Sequence, residues 1–379
     1  MVTTISPEAL RGMLDDEEEF VLIDTRRRGD FEGWRIREAE NVPFGSGESV
    51  DPDAVRTLAD PEDRIVTVCA KGISSYAFAE QLEQAGYDDV TVVQDGMEGW
   101  SRVYDVVSIP TRDPGLDVFQ VRRRAKGCLG YVVGSAGEAA VIDPTRHADE
   151  FVAVAEDAGY EVTRILDTHV HADHVSGGRR LADELGVPFH LGAAAADRVA
   201  FDYDPIERND AIRVGDAEIK AVSTPGHTTD AVSYLLDAEA LFTGDTLFVE
   251  SVGRTELQFG DGRASEGAEL LYESLHGTVL AEPDSISVLP GHVSVSADGE
   301  YSVAPGEPVV STVEALRTGA TLLDLDREEF IERLTDRLPE KPPNYETVVA
   351  VNEGRRELED EQEAVELELG PNRCAATGD

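Results

Sequence analysis

Residues 168–174 read THVHADH, and three of the chain's eight histidines fall in this one stretch beside an aspartate. The run before it, TRILDT (163–168), is apolar and β-branched and predicts a strand that ends at His169. A strand end fixes the base of the loop behind it, so side chains in that loop can converge on one point. His169 and His171 are two apart and face the same way from an extended segment. Asp173 and His174 lie at the start of the helix predicted over 175–186. Three further candidates occur singly, each behind a strand-like run and a glycine: His227 in STPGHT, Asp245 in FTGDT and His292 in LPGH. Imidazoles with carboxylates suit zinc, iron or manganese, and the residues alone leave the metal and the number of ions open. His147, His190 and His276 lack such a context and read as ordinary surface or core residues.

Working outward, the pattern is α/β throughout, in two blocks. The first runs to residue 105, with strands FVLID (20–24), RIVTV (64–68) and VTVV (90–93) and a helix from Ser75 to Gly86. SIPTRDPG (108–115), with two prolines and a terminal glycine, predicts a linker over 106–116. The second block spans 117–352. Paired strands are expected at YVVG–GEAAVID, AIRVGDAEIKAVST and AVSYLLDAEALFTGD, with helices at 147–160 and 175–186 between them. Sheets with interleaved helices imply a layered sandwich with helices outside. The charged run EGRRELEDEQEAVELELG opens an acidic tail, 353–379, read as a solvated helix or flexible segment without chemistry.

The 379 residues carry 77 acidic and 33 basic side chains, only four of them lysine, for a net charge of −44. Such self-repulsion needs dense counter-ions, so the charge reads as adaptation to a saline cytoplasm. Nucleic acid is excluded as a partner because its phosphates are repelled. No stretch approaches the ~20 apolar residues of a membrane span, and the start, MVTTISPEALRGMLDDEEEF, lacks a signal-peptide pattern. Three widely spaced cysteines, Cys69, Cys128 and Cys374, argue against a disulfide framework and for a reducing, cytoplasmic setting. A homo-oligomer is left open. Cys128 reads as packing, and Cys374 is unassigned.

VCAKGISSYA (68–77) places Cys69 after a buried-type strand and before a helix. Backbone N–H groups of the loop, the helix N-terminus and Lys71 would stabilise a thiolate and any anion on it. The loop, with CxxGxxS at Cys69–Ser75, resembles that of a single rhodanese domain, and IDTR (23–26) and DGMEGW (95–100) extend the likeness over about 5–104. The resemblance implies a rhodanese-like α/β domain in which Cys69 takes a sulfane sulfur as a persulfide from a donor such as thiosulfate. Lys71, Gly72, Ser74 and Ser75 would form the cradle. Two positions depart from that family: Ser74 stands where an arginine is common, and GWRI (33–36) replaces GHI. Both point away from thiosulfate and towards a persulfide.

The second block resembles the metallo-β-lactamase superfamily, whose hallmark is HxHxDH followed by separated His, Asp and His ligands. This implies an αββα sandwich with the site at one edge. In two-metal members of the glyoxalase II type, thioester hydrolases with two Zn(II), His169, His171 and His227 would hold one ion. Asp173, His174 and His292 would hold the other, with Asp245 bridging. The persulfide dioxygenase (ETHE-like) branch keeps the hallmark with one Fe(II), held by His169, His227 and Asp245, while His171, Asp173, His174 and His292 stand behind. Three features are similar to that branch: HADH in the loop, VGRTEL (252–257), where Arg254 would contact the carboxylate of a thiol carrier, and RLPEKPPNYETVVAVN (337–352). One departs: HVS (292–294) replaces HDY, so a tyrosine near the substrate is missing. The expected activity is oxidation of a small thiol persulfide by dioxygen, joined to sulfur transfer on Cys69. A zinc thioester hydrolase and a sulfur-relay protein without catalysis of its own are the alternatives.

Overall fold

The computed structural model describes residues 2–45, 47–338, 340–368 and 375–376, so Cys374 lies outside the described residues. The first block is a parallel five-stranded sheet. Its strands are β1 (Thr3–Ile5), β2 (Val21–Asp24), β3 (Glu40–Asn41), β4 (Arg64–Val68) and β5 (Asp89–Val93), in the order β1-β5-β4-β2-β3. Alternate residues of β4 face opposite sides, as the pleat requires. Val66 and Val68 pack with Leu10 and Met13 of the helix Pro7–Asp15, while Ile65 packs with Phe78 and Leu82 of the helix Ile73–Gln84. That second helix starts two residues before the expected Ser75, because Gly72 at φ +74° turns the chain straight into it.

The second block stacks two sheets. One has seven strands in sequential spatial order, from β6 (Tyr104–Ile109) and β7 (Leu116–Arg123) through β8 (Cys128–Ser135), β9 (Glu138–Ile142) and β10 (Glu161–Leu166) to β11 (Phe189–Gly192) and β12 (Asp204–Ile206). The other has six: β13 (Ala211–Val214), β14 (Ala217–Ser223), β15 (Val232–Leu236), β16 (Ala240–Gly244), β17 (Ser287–Pro290) and β18 (Ser311–Thr312). Tyr131, Val133 and Ile142 of the first interdigitate with Ile219, Tyr234 and Phe242 of the second. Helices cover the outer faces, through Phe151 and Leu181 on one side and Leu271, Leu275 and Phe330 on the other. This is the αββα sandwich the sequence implied. Its expected strand pairs are β8–β9, β13–β14 and β15–β16, all antiparallel.

Two boundaries differ from expectation. Residues 106–109, expected in the linker, belong to the edge strand β6, paired antiparallel with β7 from Tyr104↔Arg123 to Ile109↔Val118. YDVVSI carries the period-2 burial of a strand, and the prolines at 110 and 114 mark the hairpin turn rather than a gap between domains. Asp105 of this strand accepts from Arg122 and Arg124, and Arg124 reaches back to Asp15 at 2.6 Å, so a buried charge cluster joins the two blocks. The described start of the acidic tail likewise packs: it contains the helix Glu361–Leu367, and Glu368 beyond it is 1% exposed.

Candidate metal centre and sulfur loop

The carboxyl ends of β10, β16 and β17 and the loop after β14 all open at one edge of the sandwich, and the candidate ligands sit there. His169, His227 and Asp245 are fully buried, and one donor atom from each lies within 4.8 Å of the other two. The Nε2 of His227 is 3.7 Å from Oδ2 of Asp245, close to the roughly 3 to 3.6 Å between neighbouring ligand atoms of an ion held at about 2.1 Å.

The hydrogen bonds fix which ring nitrogens are available. His227 Nδ1 lies 2.6 Å from the Arg254 carbonyl, which only accepts, so Nδ1 carries the proton and Nε2 the lone pair. Thr168 Oγ1 donates to Asp143 Oδ2 at 2.9 Å and therefore accepts from His169 Nδ1 at 2.9 Å. Burial, then the neighbouring charge on His171, holds His169 well below the usual histidine range, hence neutral. What remains is His169 Nε2, His227 Nε2 and Asp245 Oδ2, each buried and without a hydrogen-bond partner among the described residues. An unpaired buried polar atom costs about 1–3 kcal/mol. Three facing one point fit a cation, and two imidazoles with one carboxylate fit ferrous iron. Gly253 permits the arrangement: a Cβ there would lie 1.9 Å from the Asp245 carbonyl oxygen and 2.9 Å from His227 Nδ1.

Of the other four candidates, the three histidines are engaged with carboxylates, and Asp173 is one of those carboxylates. His292 lies 2.7 Å from Asp245 Oδ1 through Nδ1 and 2.9 Å from Asp173 Oδ2 through Nε2, so both its nitrogens are used. His174 Nδ1 lies 3.0 Å from Asp173, and His171 Nε2 lies 3.2 Å from Asp143. His171 Nδ1 and His174 Nε2 have no hydrogen-bond partner among the described residues.

Sequence reasoning missed several neighbours. Cys128, read as packing, donates to Asp173 Oδ2 at 3.2 Å and clusters with Asp173, His174 and His292. Asp143 and Asp167 form a third buried group with His171. Asn352 spans the histidine loop: its amide donates to the carbonyls of His171 (2.9 Å) and His174 (2.8 Å), and its oxygen accepts from Ser176 N (2.9 Å). Glu368 accepts from Val175 N at 2.8 Å.

In the first block Cys69 is 3% exposed, and Ser75 Oγ donates to its sulfur at 3.3 Å. Burial raises the thiol's pKa, but hydrogen bonds from Ser74, Ser75 and the Lys71 backbone outweigh it and leave the thiol below its usual range. Lys71 is not a free cation: Glu98 pairs with it at 3.2 Å, and Gln362 donates to Glu98 at 3.2 Å.

Residues 123–292 match the model of the metallo-beta-lactamase superfamily, and residues 6–103 that of the rhodanese-like domain. The mitochondrial persulfide dioxygenase ETHE1 of Mus musculus is 31% identical over 59% of this chain and 82% of its own length. The chain belongs to the metallo-β-lactamase superfamily. A hydroxyacylglutathione hydrolase of Polaromonas sp. is 29% identical over 56% of this chain and 88% of its own. Among solved structures, ETHE1 from Myxococcus xanthus superposes with a TM-score of 0.54 at 26% identity, over 65% of this chain and 99% of that one. Sequence and structural likeness to ETHE1 support the persulfide dioxygenase branch of the superfamily, here with a rhodanese-like domain in front.

Arg254, expected to contact the carboxylate of a thiol carrier, is 1% exposed, pairs with Glu256 and donates to the Glu340 carbonyl at 3.0 Å. No helix among the described residues is long and apolar enough to cross a membrane.

Proposed function

We propose that this protein oxidises a small thiol persulfide to sulfite at a single ferrous ion held by His169, His227 and Asp245, and that Cys69 exchanges sulfane sulfur with the same thiol pool. The observation that carries the reading is the trio of unpartnered buried atoms, His169 Nε2, His227 Nε2 and Asp245 Oδ2. A ferrous ion on such a set would supply the dioxygen chemistry of two-histidine, one-carboxylate centres. Around it, the Arg254 carbonyl and Thr168 orient the two imidazoles, and His292 orients Asp245. In the overall reaction the sulfane sulfur of RSSH gains two oxygen atoms from dioxygen and one from water. It leaves as sulfite, with RSH and two protons.

At the sulfur loop, a Cys69 thiolate attacks the outer sulfur of RSSH, forming the cysteine persulfide and releasing RSH. Neutralisation of Lys71 by Glu98 and the serine at position 74 favour this singly charged donor over dianionic thiosulfate. Cys69→Ser is expected to stop sulfur transfer and to leave oxygen uptake from supplied glutathione persulfide unchanged. A joint loss would refute the independence of the two sites.

The unpartnered nitrogens of His171 and His174 favour a second reading, a two-zinc thioester hydrolase. Metal content after expression with both iron and zinc in minimal medium separates the two. About one iron per chain with persulfide-dependent oxygen uptake is expected, whereas about two zincs with hydrolysis of a lactoyl thioester would reverse the assignment.

A further inference from the structure

Two groups that shape the metal centre stand at the two roots of one small hairpin: Asp245, and the Arg254 carbonyl that accepts from His227 Nδ1. Between them Leu247 bridges Val252 in antiparallel register, and Phe248 N donates to the Ser251 carbonyl at 2.8 Å to close the turn. The return arm, Val252 to Arg254, lies hard against the ligands. Val252 is 1% exposed, and a Cβ on Gly253 would meet both the Asp245 carbonyl oxygen and His227 Nδ1. Any shift of this arm therefore reaches one carboxylate and one imidazole of the centre together.

A two-stranded ribbon is marginal by itself, and a third strand is what makes such a unit stable. Here the third strand comes from the acidic tail. Ala375 bridges Gly253 in antiparallel register, and Ala376 N donates to the Val252 carbonyl at 2.8 Å. Ser251 Oγ donates to the Ala376 carbonyl, and Ala376 packs on the apolar cluster that holds Leu247 and Val252. The return arm is thus paired along both edges, to Leu247 on one side and to the tail on the other.

We propose that Ala375 and Ala376 form a positioning strand of the metal centre, which holds Val252–Arg254 against Asp245 and His227 and so slows loss of the ion. This rests on the assignment of His169, His227 and Asp245 as ligands, and on neither the identity of the metal nor the reaction. It gives the tail, whose sequence suggested no chemistry, a part in metal retention.

Cobalt(II) serves as the probe, because its visible absorption bands report ligand geometry without turnover. Ala376→Pro in the full-length protein removes the N–H that Val252 accepts, whereas Ala376→Ser keeps it. Ala376→Pro is expected to release cobalt to excess EDTA about 10-fold faster than the parent protein, with altered bands. Ala376→Ser is expected to match the parent in both. Ser251→Ala, which leaves the backbone untouched, is expected to release it roughly 3-fold faster. Parent-like bands and release in Ala376→Pro overturn the proposal, as does equally fast release from Ala376→Ser. If Ala376→Pro does not fold, parent-like release from Ser251→Ala overturns it. Failure of the parent protein to bind cobalt, or binding that survives Asp245→Ala, refutes the metal centre and the strand's role with it.

Discussion

Asp245→Ala is expected to leave the purified protein without iron above background and to abolish persulfide-dependent oxygen uptake. Asp245 Oδ2 is the one carboxylate oxygen in the trio that has no other partner, and Oδ1 is committed to His292 at 2.7 Å. Without it, two neutral imidazoles remain, too few to hold a hard divalent ion against water. Asp245→Asn, which keeps the volume, is expected to do the same, so a packing defect cannot account for the loss. His292→Ala is the informative contrast. If His292 only orients Asp245, iron stays and turnover falls by roughly 10- to 100-fold, the usual cost of removing such a partner. Retention of full metal and activity by Asp245→Ala would refute the proposed centre.

The second large effect is on stability. Glu368 is 1% exposed and meets Arg123 at 2.8 Å and Arg146 at 2.7 Å, while Lys126 donates to its carbonyl at 2.7 Å. Glu368→Ala would strand the buried Arg123 guanidinium and leave Arg146 with Glu361 alone, a defect worth about 3–5 kcal/mol, and a fall in Tm of roughly 5 °C is expected by calorimetry. Burial raises the carboxyl's pKa, but Arg123, Arg146 and Lys126 outweigh it and hold the group at about 2 instead of 4.5. A folded-state value below the unfolded one means the stabilisation is complete above pH 4.5 and is lost as pH falls from there towards 2. Its size is roughly 3 kcal/mol. The stability difference between the parent protein and Glu368→Gln is therefore expected to be constant above about pH 5 and to shrink in acid. A difference independent of pH would show that the carboxylate's charge contributes nothing.

The contrast between Asp245 and Glu368 shows what the sequence could tell. Asp245, His227 and His292 were legible because each stands directly behind a strand and a glycine, a local signal that needs no knowledge of partners. The αββα order was legible for the same reason, through alternation and turns. Glu368 was hidden in a run of acidic residues, where nothing local distinguishes the one buried carboxylate from its solvated neighbours. Its partners lie 193 to 245 positions away. Cys128, Asn352 and Asp143 belong to the same class: ordinary residue types whose role arises only when distant strands and helices meet. The linker misread at 106–109 is a different failure. Two prolines were taken as a domain boundary when they mark a hairpin turn, and the alternation of YDVVSI was the stronger signal.

Asn352 and Glu368 hold backbone positions 176 and 193 residues before them. At synthesis rates of about 5–20 residues per second, the histidine loop leaves the ribosome roughly 10 to 40 seconds before the groups that brace it. During that interval the imidazoles of the nascent chain are exposed to whichever metal the cell offers. The ion that first meets the loop need not be the one the finished site retains, and selection between them falls to the last stage of folding.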